Sequence, residues 1–131
     1  MIVLDTNAWI RWVAEPELLS PRARAAITRE ESANGLAISS ISGWEVAIKA
    51  RKGKLKLGLP VESWIERAAG YPGIVVFPVE LSDAVASTVL PGRLHEDPAD
   101  RLIVALARRL DVPLVTSDAA LLRYAHVRTI W

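Results

Sequence analysis

The sequence predicts an α/β protein of three layers, in which helices cover both faces of a mostly parallel central sheet. Short apolar runs alternate along the chain with longer segments of helical periodicity, the order expected of βαβ units. Several runs end abruptly in polar or acidic residues, which is typical of strands at the ligand-binding edge of such sheets. The 131 residues suit one domain, spanning 1–131, with no internal repeat or linker.

The first apolar run, residues 1–4, stops at Asp5-Thr6-Asn7 and is followed by a helical pattern. We interpret it as the first and central strand, buried on both faces, with Asp5 at its C-terminal end. The function of the chain then depends on whether later segments bring further acids to the same edge of the sheet.

Capping and helix-stopping residues divide the first half of the chain. Ser20 followed by Pro21 is typical of a helix start, and Gly35 of a helix end. Ser42 is predicted to cap the next helix. The predicted helices of this half are residues 6–13, 21–34, 43–53 and 61–70, and its second strand is residues 36–39.

The second half contains the clearest helix start in the sequence, with Asp97 as N-cap, Pro98 at the first position and Asp100 at the third. That helix is expected to stop before Pro113. Ser82 is predicted to cap a shorter helix upstream. The predicted helices are residues 83–89, 98–112 and a short one around 121–122, and the strands are residues 74–77, 114–116 and 127–130.

The composition argues against several kinds of site. Without cysteine, neither a disulfide nor a thiolate metal site can form, and two histidines, His95 and His126, argue against a His-rich zinc site. The net charge of +1 gives no whole-molecule field, so an anionic partner needs a local basic patch. Apolar runs are too short to span a bilayer, and Asp5 interrupts the N-terminal one. We therefore expect a cytoplasmic protein with no membrane partner.

Four carboxylates are predicted to meet at one edge of the sheet. Asp5 and Asp118 each end a predicted strand, so both should project from the C-terminal edge. Asp100 lies in the first turn of its helix, where the helix dipole favours a negative charge. Glu45 lies one turn into the helix after the second strand, within reach of the same edge.

Taken singly, each acid also has a structural explanation. Asp118 could cap the next helix, and Asp100 could complete a capping arrangement with Asp97. Glu45 could pair with Lys49 for about 0.2–0.5 kcal/mol. Taken together, several ionised carboxylates within a few ångströms would raise each other's pKa values unless cations neutralise them. Mg²⁺ or Mn²⁺, which take oxygen ligands and retain waters, suit such a set.

Four blocks of the sequence resemble PIN-domain proteins, and most of all the VapC toxins of bacterial toxin–antitoxin pairs. The blocks are Val3-Leu4-Asp5-Thr6-Asn7, residues 39–49, residues 95–105 and Leu114-Val115-Thr116-Ser117-Asp118. They span essentially the whole chain, in the same order and at compatible spacing. The resemblance implies a three-layer, PIN-like fold and a metal-dependent ribonuclease.

The resemblance also assigns roles by position. The residues that match the acidic quartet, expected to be both catalytic and metal-binding, are Asp5, Glu45, Asp100 and Asp118. The polar neighbours that would orient these acids or the metal-bound waters are Thr6, Asn7, Ser42 and Thr116. Asp97 remains open between its N-cap role and support of the metal site.

The hypothesised reaction is hydrolysis of RNA phosphodiester bonds. Asp5, Asp100 and Asp118 would hold Mg²⁺ or Mn²⁺, and Glu45 would ligate the ion directly or through water and help to deprotonate the attacking water. The resemblance implies products with 5′-phosphate and 3′-hydroxyl ends. Because water attacks, the RNA 2′-hydroxyl has no chemical role, and a 2′-deoxy group at the scissile nucleotide should be tolerated.

A basic segment follows Glu45, with five cations in eight residues: Lys49, Arg51, Lys52, Lys54 and Lys56. We interpret it either as a patch that binds RNA phosphates or as a solvated helix end whose cations interact with the helix dipole. Arg93 and Arg101 are further RNA-binding candidates. His95 is expected to be a loop residue without a catalytic role.

The resemblance further implies two protein partners, a cognate antitoxin that occludes the acidic pocket and a second copy in a homodimer. Trp9, Trp12 and Trp64 could lie at such surfaces, although core burial is the simpler interpretation.

Two other classes of function remain open. A receiver-like phosphotransfer domain would need an acceptor aspartate after the third strand, where residues 77–79 offer none. A catalytically silent PIN-like module, which binds RNA or protein without cutting, would be distinguished by an assay for metal-dependent RNA degradation.

Overall fold

The central sheet has five parallel strands in the order β3-β2-β1-β4-β5, in a computed structural model that describes residues 1–131. The strands are β1 (Ile2–Leu4), β2 (Leu36–Ser39), β3 (Ile74–Phe77), β4 (Leu114–Val115) and β5 (Thr129–Ile130). β1 lies at the centre, and all three of its residues are buried. The predicted central position of the first strand is therefore confirmed.

Seven helices connect and cover the strands. They are α1 (Thr6–Ala14), α2 (Pro21–Glu31), α3 (Ser40–Arg51), α4 (Val61–Ala69), α5 (Leu81–Thr88), α6 (Pro98–Leu110) and α7 (Ala119–Arg123). A 3₁₀ turn, Pro16–Leu18, follows α1. None of these helices has the length and apolarity that crossing a membrane would require.

Two apolar clusters, one on each face of the sheet, make the three layers. Successive strand residues point to opposite faces, so Ile2 and Leu4 of β1 join one cluster and Val3 joins the other. The first cluster packs α1, α2 and α4 against the sheet, and Trp9 and Trp64 meet edge to face at 5.4 Å within it. The second cluster is built on α6 and α7. The predicted α/β/α fold is confirmed, and these two tryptophans belong to the core.

Two predicted helix caps are wrong. Ser39, still extended at the end of β2, caps α3 by accepting from the Ile41 amide at 3.3 Å, so α3 begins three residues earlier than predicted. Ser42 is fully buried inside the helix, where its hydroxyl contacts another helix. α5 begins at Leu81 without a side-chain cap, so Ser82 lies within the helix. The direct passage from strand to helix brings Glu45 close to the sheet edge.

An ion pair between a buried carboxylate and an exposed guanidinium fastens α5 to α6, the helix that carries Asp100. Asp83 is 3% exposed and receives two hydrogen bonds from Arg109, Nε to Oδ1 at 2.7 Å and Nη2 to Oδ2 at 2.9 Å. The hydrogen bond from Arg109 to the carboxylate raises the pKa of Arg109. Such a bidentate pair fixes geometry as well as energy.

Replacing Asp83 by Asn should lower the free energy of unfolding by about 2 kcal/mol, because the buried carboxylate that accepts both hydrogen bonds from Arg109 is lost. Glu62→Gln is the matched control, since the Glu62–Arg51 pair at 2.6 Å is exposed on both sides and should contribute much less to stability. Urea denaturation of both variants measures the difference. Equal losses would contradict a specific role for the α5–α6 pair.

Candidate active site

The candidate site lies where the C-terminal ends of β2, β1 and β4 meet side by side. Asp5 follows β1 directly, and its amide donates to the Val115 carbonyl of β4 at 3.1 Å. α3 leaves β2 at the same edge and carries Glu45 in its second turn. Thr116 to Asp118 follow β4. The parallel order of the strands therefore gathers residues that are far apart in sequence.

Asp5 is the most buried of the four acids, with 5% of its surface exposed. Its Oδ1 accepts from the Ala8 amide at 2.7 Å and so caps α1. Burial raises its pKa, and the charge of Glu45 raises it further. Hydrogen bonds from Thr116 and Ala8, and the charge of Arg11, act in the opposite direction. A buried acid with this environment gains from a nearby cation.

Glu45 is held by the hydroxyl of Thr6, which joins α1 to α3. The Thr6 hydroxyl donates to the Glu45 carboxylate and is also hydrogen-bonded to Ser42 Oγ at 2.9 Å. Thr6 and Ser42 are both buried, so this contact also satisfies polar groups in the interior. Thr6 therefore contacts Glu45 directly, whereas Ser42 contacts Thr6, and the predicted role of both in orienting the acids stays a prediction.

Asp100 lies in the first turn of α6, behind its cap. The Asp97 carboxylate accepts from the Asp100 amide at 3.1 Å, which confirms the N-cap interpretation of Asp97. The pKa of Asp100 is raised to about 7, first by burial, then by the charges of Asp97, Glu45 and Asp118. His95 opposes this shift, with its Nε2 3.3 Å from Asp100 Oδ2. Three other carboxylates are therefore close enough to resist ionisation of Asp100.

Asp118 caps α7, as one interpretation of the sequence proposed. Its Oδ1 accepts from the Leu121 amide at 3.0 Å, and its own amide donates to Thr116 Oγ1 at 3.0 Å. Thr116 is fully buried and also interacts with Asp5. One buried threonine thus connects the two strand-end acids.

The four acids are neighbours but not a closed ligand shell. No group of three or more His, Asp or Glu side chains has an arrangement that would hold an ion in this conformation. Ionised carboxylates repel one another, and a cation between them would remove that repulsion. The donor chemistry, carboxylate and hydroxyl oxygen with no sulfur and one peripheral imidazole, fits Mg²⁺ or Mn²⁺.

The predicted RNA-binding residues have different surroundings. Lys49 and Lys54 line a cavity of about 360 Å³ together with Asn7 and Arg11, which we call the cationic pocket. Asn7 is exposed there and makes no hydrogen bond to the acids. Its predicted role in orienting them stays a prediction.

The remaining candidates are less well placed for a phosphate. Arg51 donates to Glu62 at 2.6 Å, and Lys52 is exposed outside the cationic pocket. Arg101 donates to the carbonyls of Ser87 at 2.8 Å and Leu94 at 3.0 Å. Its guanidinium therefore ties the segment before α6 to α5, and the geometry favours that structural role over an RNA contact.

Sequence reasoning missed the contacts of two side chains at this edge, the guanidinium of Arg11 and the imidazole of His95. Arg11 donates to Ser117 Oγ at 2.9 Å, lies 5.3 Å from the Trp131 ring and lowers the pKa of Asp5. His95 pairs with Asp100. The Arg11 contact leaves no local signal in the sequence, because its partner Ser117 lies 106 positions away. His95 lies in the loop five residues before Asp100, and no helical or strand periodicity connects the two residues.

The chain is similar to known proteins over nearly its whole length. A family model described as the PIN domain matches residues 2–127. Ribonuclease VapC22 of Mycobacterium tuberculosis (strain ATCC 25618 / H37Rv) is 38% identical over 134 residues, which cover 99% of this chain and 98% of that protein.

Solved structures of lower identity share the fold. A chain of VapBC2 from Rickettsia felis, crystallised with a DNA fragment from its promoter, is 18% identical with a TM-score of 0.70, covering 98% of this chain and 97% of its own. A chain of FitAcB from Neisseria gonorrhoeae is 22% identical with a TM-score of 0.65, covering 98% and 96%. The family match over nearly all residues and the 38% identity together show that the chain belongs to the PIN domain family.

Proposed function

We propose that this protein is a Mg²⁺- or Mn²⁺-dependent endoribonuclease that hydrolyses RNA phosphodiester bonds as the toxin of a toxin–antitoxin pair. One observation carries the proposal: the charges of Glu45, Asp97 and Asp118 all act on Asp100, while Glu45 also acts on Asp5. Helix capping explains Asp5, Asp97 and Asp118 one at a time, but it does not explain why these acids lie close enough to Asp100 and Glu45 to act on one another. The similarity to Ribonuclease VapC22 supports RNA as the substrate.

When bound, the divalent ion supplies activation of water and neutralisation of charge on the leaving oxygen. Asp5, Asp100 and Asp118 would hold it, each through an oxygen that is not committed to a backbone amide. Glu45, positioned by Thr6, would accept a proton from the attacking water. This division of roles makes the acid that accepts from the Thr6 hydroxyl the base.

The cationic pocket supports a path for the RNA backbone. Lys49 lies one turn after Glu45 on α3, and Arg11 lies between the pocket and Asp5. Phosphates on one side of the scissile bond would contact Lys49, Lys54 and Arg11, since lysine and arginine are the usual phosphate ligands.

Two protein partners belong to the proposal. A cognate antitoxin is supported by the toxin–antitoxin complexes among the structural neighbours. A homodimer is supported by an exposed apolar row on and after α5, made of Leu81, Val85 and Val89 at four-residue spacing. We place the reaction in the cytoplasm, where RNA and an antitoxin would be available.

Asp5→Asn should abolish RNA cleavage and leave the fold intact, because asparagine can still cap α1 but cannot carry the charge that holds the cation. Incubation of total RNA with Mg²⁺ or Mn²⁺ measures cleavage, and circular dichroism reports the fold. Excess EDTA should stop the wild-type protein in the same assay. Full activity of Asp5→Asn, or of the wild type in EDTA, would contradict metal-dependent hydrolysis and favour other chemistry. A wild type without any cleavage would favour the silent binding module.

Metal-free protein should become less stable as the pH rises from about 4 to about 7. The folded protein keeps the Asp100 proton up to about pH 7, whereas the unfolded chain releases it near 3.8. Folding therefore binds the proton within this window, and the contribution is lost as Asp100 ionises; after allowance for solvent screening we expect about 2 kcal/mol.

The measurement is urea denaturation in EDTA across this pH range, with Asp100→Asn as the comparison. Asp100→Asn should lack this component and should be the more stable protein at pH 8. Excess Mn²⁺ should restore stability to the wild type alone, because the ion favours the ionised carboxylate. Parallel pH profiles for the two proteins would show that Asp100 is an ordinary surface acid.

Lys49→Gln should weaken the binding of every RNA sequence to a similar degree and flatten the dependence of log affinity on log salt by about 0.7. Lys56→Gln removes the same charge from an exposed residue outside the cationic pocket and should have the smaller effect. Titration of labelled single-stranded RNA onto Asp5→Asn protein at several salt concentrations gives both slopes. Indistinguishable slopes for the two lysine variants would remove the cationic pocket from the RNA path.

A further inference from the structure

A second cavity, of about 490 Å³, adjoins the acids and shares no residue with the cationic pocket. Five of the residues around it are carbon-rich: Ile41, Trp44, Val79, Pro98 and Ala99. The polar ones are Ser40, Glu45 and Asp97. Because Glu45 forms part of the wall, any molecule in the cavity lies directly beside the proposed site of hydrolysis.

Trp44 is the residue of this cavity that the fold does not explain. It is 58% exposed, whereas Trp9 and Trp64 are buried in the core and Trp12 and Trp131 pack against it. Trp44 lies between Ser42 and Val46, the two buried residues of α3, and therefore on the opposite side of the helix. It belongs to neither apolar cluster. An indole left open beside a group of acids is costly to hydrate and is suited to a flat, neutral partner.

The charges around the cavity identify the part of an RNA that fits it. No lysine or arginine lines the cavity, and two carboxylates, Glu45 and Asp97, do. A phosphate would be repelled there. A nucleobase is uncharged and aromatic, it stacks on tryptophan, and its amino groups can donate to carboxylates. The two cavities therefore divide the RNA chemically, with phosphates at the cations and a base at Trp44.

We propose that this cavity binds one unpaired nucleobase of single-stranded RNA next to the scissile phosphate, with Trp44 as the stacking surface. The inference rests on the proposed ribonuclease function and names the substrate class of the same site. A base that enters the cavity must be unstacked and unpaired, so the subsite selects single-stranded segments and loops over duplex RNA.

The test compares two probes of equal length bound to Asp5→Asn protein in Mg²⁺: a short labelled single-stranded RNA and the same ribose-phosphate chain without bases. Adding Trp44→Leu should weaken binding of the base-containing RNA about tenfold and leave the abasic chain unchanged. Trp44→Phe should keep most of the affinity, because the ring still stacks. Tyr71→Leu is the matched control, since Tyr71 is also an exposed aromatic residue but contacts Trp12 away from the cavity; it should change neither affinity.

Each other outcome overturns the subsite. An equal loss for both probes would mean that Trp44 supports the structure rather than a base. No loss for either probe would assign the cavity to an apolar side chain of a protein partner, or to a second copy if Trp44→Leu changes the oligomeric state. RNA cleavage by the wild type together with no effect of Trp44→Leu would overturn the subsite alone. Absence of RNA binding in every protein would overturn the subsite and the proposed function together.

Discussion

Repulsion between carboxylates is the constraint on which the candidate site depends. Asp5 and Asp100 both have raised pKa values, and in both cases burial is the largest cause and other acids add to it. A fold that gathers such groups loses stability whenever they ionise together. The surrounding contacts reduce this cost only in part, through backbone amides at Asp5 and Asp118 and the imidazole of His95 at Asp100. The remaining negative charge is what a divalent cation would neutralise.

The parallel sheet explains how acids that are far apart in the sequence come to lie close together. Three adjacent parallel strands end at one edge, so the first residues after them are neighbours irrespective of their separation along the chain. β1 packs against both layers, which fixes Asp5 with little freedom. α6 is fixed in turn by the Asp83–Arg109 pair and by the Arg101 contacts to preceding carbonyls. The acids are therefore held on rigid elements, as a reactive geometry requires.

Much of this arrangement could be predicted because its signals are local. The apolar run that ends in Asp5 predicts a strand within a few residues. The Asp97-Pro98 pair before Asp100 predicts a helix start in the same local way. Ser42 misled the prediction for the opposite reason: a serine that suits a helix cap also suits a buried hydrogen bond, here to Thr6, and only the tertiary contact distinguishes them. Arg11 could not have been found, since its partner at Ser117 is brought near by strand pairing alone.

For the basic residues, the sequence shows how many cations there are, and only the structure shows which of them lie together. The density of cations in residues 49–56 is visible in the sequence, but not that Lys49 and Lys54 share a cavity with Arg11 while Arg51 pairs with Glu62. The sequence likewise does not distinguish Trp44 from the other tryptophans. The structure does, because Trp44 is exposed beside Glu45. Side chains that bind a partner are recognised by what the fold leaves uncovered, and that information arises only after the core has formed.

We propose that these acids together form one binding site for a divalent cation. An anomalous difference map from crystals grown with Mn²⁺ tests it most directly. We expect a single region of manganese density bounded by Asp5, Asp100 and Asp118. A map without a peak there, with the carboxylates separated and individually solvated at a pH where all are ionised, would contradict it.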